Sequence, residues 1–162
     1  MNEAKKSLKK PSAEPKYETA QLYDVYADFY KQKGDNKEAL RYTIKALDKF
    51  RELNGEYSDT VMKHYLKLAD IYSKMGNQPE TIANVEHYMD VAKKSYGENH
   101  IKTYDSMFNA YKFYSKSDST KARILLNDIV KGFESGKVEG SYPILSYSVY
   151  LAYANDFLDK MD

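Results

Sequence analysis

The side chains that could do chemistry are few. There are three histidines, His64, His87 and His100, in a chain of 162 residues. None stands in a His-Glu-x-x-His or similar metal-ligand spacing, so no metal site is expected. Asp24 and Asp28 lie four apart and share one face of a helical segment, the spacing at which two carboxylates could divide acid and base roles. Carboxylates so placed on a helix are far more often solvated than catalytic. Cysteine is absent, which excludes disulfides, thiolate metal sites and cysteine nucleophiles. There is no glycine-rich phosphate loop and no nucleophile elbow. The residues point away from an enzyme and away from any cofactor.

The elements that would hold these residues are helical. Gly 7 and Pro 4 are low and Tyr 17 is high, the composition of helices packed through aromatic rings. Apolar residues recur at three and four: Leu22, Tyr26, Phe29 and Tyr30 in a first helix, and Ala39, Tyr42, Ala46, Leu47 and Phe50 in a second. Leu68, Ala69, Tyr72 and Met75 mark a third, and Ile82, Val85, Tyr88, Met89 and Ala92 a fourth. Met107, Phe108, Ala110, Tyr111 and Tyr114 give a fifth, and Ala122, Leu125, Leu126, Ile129, Val130 and Phe133 a sixth. Gly136 to Ser141 is a loop, and Ile144, Tyr147, Tyr150, Leu151, Ala154 and Phe157 give a seventh helix. Glycine with Asp or Asn at Gly34-Asp35-Asn36 and Gly76-Asn77 ends one helix and caps the next. No two-residue alternation suggests a sheet.

Residues Met1 to Lys16 read as a basic tail. Five lysines, two prolines and little apolar content cannot offset the entropy of ordering, so disorder in the free protein is expected. For the whole chain, Lys+Arg 25 against Asp+Glu 24 gives a net charge of +1, which argues against nucleic acid as the partner. No apolar run is long enough to span a bilayer, so no integral membrane contact is expected. Composition does not separate cytoplasm from periplasm; the cytoplasm is the favoured compartment.

The decisive pattern is self-similarity. Ala27, Tyr30 and Gly34 recur 42 residues later as Ala69, Tyr72 and Gly76. Asn54-Gly55 recurs at the same interval as Tyr96-Gly97, and Tyr72 again as Tyr114, with Asp118 where glycine stood. A helix pair cannot bury its apolar stripe alone, so successive pairs must stack. Repeats are expected over 17–57, 58–99 and 100–138, with 139–162 a cap or a partial repeat.

These residues resemble the tetratricopeptide repeat (TPR). Tyr23, Tyr26-Ala27, Tyr30, Gly34, Ala39, Thr43 and Ala46 follow its pattern, with Thr43 at a position the family gives to an aromatic. Tyr65, Leu68-Ala69, Tyr72, Gly76, Thr81, Val85 and Tyr88 form a second copy, with Thr81 and Tyr88 in place of alanines. A third copy is weaker, and its Ala122 aligns only after a one-residue deletion. The 42-residue period resembles the variant in kinesin light chains, whose glycine-x-x-His-x-x-Thr link matches Gly97, His100 and Thr103.

The resemblance implies an all-α, right-handed superhelix of antiparallel helix pairs, about seven helices in all, spanning 17–162. It also implies a protein-interaction module that holds a peptide or partner domain in a concave groove. The alternative is a sensory or regulatory segment of a larger signalling or transcription-regulating protein. Self-association is left open. Family groove positions fall on Gln21, Asp24, Asp28 and Lys31, then on Lys63, Leu66, Asp70 and Lys74, then on Phe108, Lys112 and Lys116. Family members that clamp C-terminal carboxylates have Lys and Asn where Asp24 and Asp28 stand. The charge order instead implies a partner segment with a basic end at Asp24 and Asp28 and an acidic end at Lys112 and Lys116.

Overall fold

The turn chemistry sets the architecture. In the computed structural model, which describes residues 16–140, 148–152 and 154–155, the chain runs through six helices followed by a further helical stretch. These are α1 (Lys16–Gln32), α2 (Asn36–Asn54), α3 (Asp59–Lys74), α4 (Gln78–Tyr96), α5 (Ile101–Tyr114) and α6 (Ser119–Glu134). Residues 148–152 and 154–155 are helical and are the described part of the seventh helix. Ile144, Tyr147 and Phe157 lie outside the described residues, as does the proposed tail, except that Lys16 already belongs to α1.

The starts of α2, α3, α4 and α6 are capped by residue types suited to it. Asp35, Ser58, Asn77 and Asp118 accept the backbone N–H three residues on, from Glu38, Val61, Glu80 and Lys121. Gly34 and Gly76 sit at φ 76° and 73°, the left-handed region that costs other residues strain. There the chain reverses so that Asp35 N donates to Tyr30 O at 3.0 Å and Asn77 N to Tyr72 O at 2.9 Å, the six-to-one closure of a glycine-terminated helix. In the third repeat, Asp118 N instead reaches Tyr114 O at 2.7 Å, one residue sooner. The missing glycine and the one-residue deletion are one event: a shorter turn that dispenses with the left-handed residue.

The link between the second and third repeats shows why its residues recur as a set. His100 is the N-cap of α5, its Nδ1 accepting from Lys102 N at 3.2 Å while its ring stacks on Tyr96. Thr103 Oγ1 donates to Gly97 O at 2.7 Å and so ties the end of α4 to the first turn of α5. The loop after α6 joins them. Glu139 N donates to Asn99 O and Ile101 N to Glu139 O, each at 2.8 Å, forming an isolated parallel bridge.

Helices pack in chain order: α1 with α2, α3 with α4 and α5 with α6 as pairs, and α2 with α3 and α4 with α5 between pairs. Alanines mark the crossings. Ala20, Ala27, Ala39, Ala46, Ala69, Ala110 and Ala122 are all buried. Larger side chains fill the space between them, among them Phe50, Tyr65 and Tyr88 in the first half and Phe108, Tyr111 and Leu126 in the second. The departures from the family pattern are accommodated locally. Buried Thr43 and Thr81 donate their hydroxyls to the carbonyls of Ala39 and Asn77, at 2.7 and 2.8 Å, so neither hydroxyl lacks a partner.

One expected face is only partly covered. Leu22, Tyr26 and Phe29 are exposed, while Ala27 of the same face is buried and the Tyr26 and Tyr30 rings lie 5.0 and 5.5 Å from Tyr42 of α2; α1 packs inward through Ala20 and Ala27. Periodicity shows that a helix has an apolar face, not which neighbour that face meets.

Candidate functional site

Helices α3 and α5 each turn one row of side chains toward neighbouring surface depressions, and α1 adds Lys31. On α3 the row is Lys63, Leu66 and Asp70, spaced three and four; on α5 it is Phe108 and Lys112, four apart. Two adjoining depressions follow these rows. One, of about 590 Å³, is lined by Asp59, Met62, Lys63, Tyr88, Lys102, Asp105, Phe108, Asn109, Lys112, Val149 and Tyr150. The other, of about 480 Å³, is lined by Lys31, Lys63, Leu66, Lys67, Asp70, Asn109, Lys112 and Phe113. Lys63, Asn109 and Lys112 belong to both and stand on the rim between them.

Of the residues expected in a groove, Lys31, Lys63, Leu66, Asp70, Phe108 and Lys112 line these depressions. Gln21 and Lys116 are exposed beyond them. Lys74 lies outside the lining but bonds Asp70 at 3.2 Å, while Lys31 reaches the same carboxylate at 2.7 Å. Asp24 and Asp28 do not line the depressions. Lys67 Nζ lies between them, 2.7 Å from Asp24 Oδ1 and 3.1 Å from Asp28 Oδ1. The acidic pair at the head of the groove is therefore occupied from within the chain.

These contacts set the electrostatics. Partial burial alone would raise the Asp24 carboxyl, but hydrogen bonds from His64 and Lys67 hold it down at about 2. Burial opposes the charge on Lys67 as well, and its bonds to Asp24 and Asp28 outweigh that and raise its pKa. Asp70 is lowered against its own burial by Lys31 and Lys74. Lys63 has no acidic partner among the described residues, and Lys112 Nζ has only the Asn109 side-chain carbonyl, at 3.2 Å, and the Phe108 ring, at 5.0 Å. Lys63 and Lys112 thus stand without an acidic partner between the two depressions, while Asp105 in the larger one accepts a hydrogen bond from the neutral Tyr150 hydroxyl.

Several lining residues escaped the sequence reading, among them Lys67, Asn109 and Tyr150. Lys67 and Asn109 occupy the same repeat position, one residue after Leu66 and Phe108, and that shared register was the signal available. Asn109 Nδ2 donates to the Tyr88 hydroxyl at 3.1 Å, fixing the amide so that its oxygen faces Lys112. Tyr150, from the seventh helix, donates its hydroxyl to Asp105 and packs its ring 4.6 Å from Phe108, closing one end of the larger depression. Burial and the Asp105 carboxylate push the Tyr150 hydroxyl pKa well up, so it stays protonated and donating. The histidines have structural positions: His64 Nδ1 lies 2.7 Å from Thr60 O, and His87 stacks on Tyr65. Among the described residues, no group of three or more histidine and carboxylate side chains is arranged to hold a metal ion.

Comparison with known proteins agrees with this architecture. Residues 18–94 match the tetratricopeptide repeat family. A stretch of 94 residues, 57% of the chain, is 32% identical to the clustered mitochondria protein homolog of Aspergillus niger and spans 7% of that protein. Among solved structures, BtubC (BKLC) from P. vanneervenii superposes with a TM-score of 0.69 at 18% identity, over 86% of this chain and 55% of that one. The nearly identical TPR-like repeats of a kinesin light chain candidate from Podosopora anserina superpose with a TM-score of 0.63 at 16% identity, over 90% of this chain and 67% of theirs. Residues 18–94 thus match the tetratricopeptide repeat family in sequence, and the fold of the chain is similar to that of the TPR-like helical repeats of a kinesin light chain.

Proposed function

We propose that the groove formed by α1, α3 and α5 holds a segment of a partner protein, with an acidic side chain over Lys63 and Lys112 and apolar side chains against Leu66, Phe108 and Phe113. Tetratricopeptide repeats are generally protein-interaction modules. The observation that carries the finer reading is the pair of depressions meeting at two lysines that have no acidic partner among the described residues. A concave wall focuses the field of such charges on whatever enters. Because Lys67 bonds both Asp24 and Asp28, the partner's recognition is centred on acid rather than divided between a basic and an acidic end.

Selection of a random peptide library on the chain, followed by titration of the recovered peptides, tests this. Acidic peptides with flanking apolar residues are expected. Their affinity should fall by roughly tenfold or more with Lys63→Glu plus Lys112→Glu, and much less with Lys37→Glu plus Lys131→Glu on α2 and α6. Affinity should also fall with salt, since exposed charges are screened beyond about 8 Å at physiological ionic strength. Equal losses for the two double variants would move the binding site off the groove.

A further inference from the structure

The outward face of α1 carries a stripe that its own repeat touches at one edge, where the Tyr26 ring lies 5.0 Å from that of Tyr42 on α2. Leu22, Val25, Tyr26 and Phe29 are 49%, 63%, 41% and 46% exposed, and their spacing of three and four places them on one side of the helix. One repeat later the same register is occupied by His64, Lys67, Leu68 and Ile71; His64, Leu68 and Ile71 are 3%, 4% and 1% exposed, while Lys67 turns aside to Asp24 and Asp28. The His64 ring lies 5.0 Å from Phe50 of α2, so in α3 this face is covered by the preceding helix. In the third repeat Ser106 and Ala110 take the first and third of these positions and are buried too, while Asn109 and Phe113 take the others and stand at the groove. Leu22, Tyr26 and Phe29 therefore continue a helix-packing face of the same kind, larger in its side chains and uncovered among the described residues, with Val25 exposed beside them.

The ends of the stripe indicate what covers it. Glu18 lies one turn before Leu22, and Lys33 lies four residues after Phe29, its Nζ 4.5 Å from the centre of that ring. Neither charge has an ion-pair partner among the described residues. Read in either direction, the row is a charge, four apolar side chains and a charge of opposite sign. If a second α1 is laid antiparallel across the first about an axis between Val25 and Tyr26, Val25 meets Tyr26, Leu22 meets Phe29 and Glu18 meets Lys33, each pairing occurring twice. Self-complementarity of this sort is what a twofold interface requires.

We propose that the outward face of α1 docks on the same face of a second copy of the chain, forming an antiparallel, twofold-symmetric dimer that leaves both concave grooves open. Four apolar side chains per copy make a small interface, so the dimer is weak and dissociates on dilution.

Sedimentation equilibrium or light scattering on the 162-residue chain, from low micromolar to millimolar concentration, tests the proposal. Concentration-dependent dimerisation is expected, and Val25→Glu, which sets two carboxylates beside the axis, should abolish it. Glu18→Lys alone puts lysine against lysine at both ends, and Lys33→Glu alone puts glutamate against glutamate; each should weaken the dimer by roughly tenfold. The double exchange, Glu18→Lys with Lys33→Glu, should restore it. All of these side chains are exposed, so unchanged melting temperatures serve as the folding control. A chain monomeric at every concentration would overturn the proposal and assign the stripe to a helix from another source. A dimer indifferent to Val25→Glu would place the interface elsewhere, and failure of the double exchange to rescue would overturn the antiparallel register. Because no groove residue is altered, peptide binding by the groove succeeds or fails independently.

Discussion

His64 on α3 meets Asp24 on α1 across forty residues of sequence, Nε2 to Oδ1 at 3.0 Å, while Lys67 reaches the same oxygen at 2.7 Å. The carboxylate is thereby a tie between the first two repeats, and its strength depends on pH. Its pKa falls from 3.8 to about 2 in the folded chain. A depressed carboxyl contributes stability that is fully present above the unfolded value and is lost as pH falls through the folded one. Wild type should therefore exceed Asp24→Asn in unfolding free energy by about 1 kcal/mol at neutral pH, a figure reduced for the partial exposure of the site. The gap should close between pH 4 and pH 2. Urea melts across that range check it; a constant gap would mean that Asp24 acts by packing alone.

Ala27 and Ala69 are buried at helix crossings one repeat apart. Leucine at either should force the helices apart and cost roughly 1–3 kcal/mol. Thermal melts of the two variants measure it, and melts matching the parent would show that the crossings can open without penalty.

Gly132 on α6 faces the ring of Tyr104 on α5, so closely that a Cβ at that position would lie within 3 Å of the ring edge. Tyr104 is itself buried beside Phe133, which limits how far the ring can retreat. Gly132→Ala should destabilise by about 1–3 kcal/mol despite the better helix propensity of alanine. Adding Tyr104→Leu should cost less in the Gly132→Ala background than in wild type, and a double-mutant cycle measures that difference.

At Gly76 the cost should arise differently. A Cβ there meets nothing within 4 Å, but φ is +73°. Gly76→Ala should cost about 1 kcal/mol through backbone strain alone, and Gly76→Asn less, because asparagine tolerates the left-handed region better. Chemical denaturation of the pair separates strain from steric conflict.

What could be seen in the sequence was short-range. Asp35, Asn77 and Asp118 cap helices because a carboxylate or amide three residues before a free N–H satisfies it wherever the helix lies. The 42-residue register of Ala27, Tyr30 and Gly34 revealed the stacking because each repeat meets only its neighbours. Even the dropped residue before Ala122 was visible, since it alters a local turn. What could not be seen was the choice of neighbour. Asp24 and Asp28 looked like free groove acids because nothing local marks Lys67, 43 residues beyond Asp24, as their partner. Leu22, Tyr26 and Phe29 looked like core because an apolar stripe has the same period whether or not it is covered. Gly132 passed unremarked because its role depends on a ring that reaches it from another helix.

The bridge between Glu139 and the Asn99–Ile101 segment has a consequence for how the array opens. Loop amides ordinarily trade their hydrogens with solvent quickly, whereas those of Ile101 and Glu139 are engaged as donors at 2.8 Å. Their deuterium uptake should lag behind that of the other loops and should accelerate for both at once. The connector after α4 and the connector after α6 then behave as one hinge rather than two. Releasing the connector after α6 from the start of α5 means breaking both hydrogen bonds in a single event.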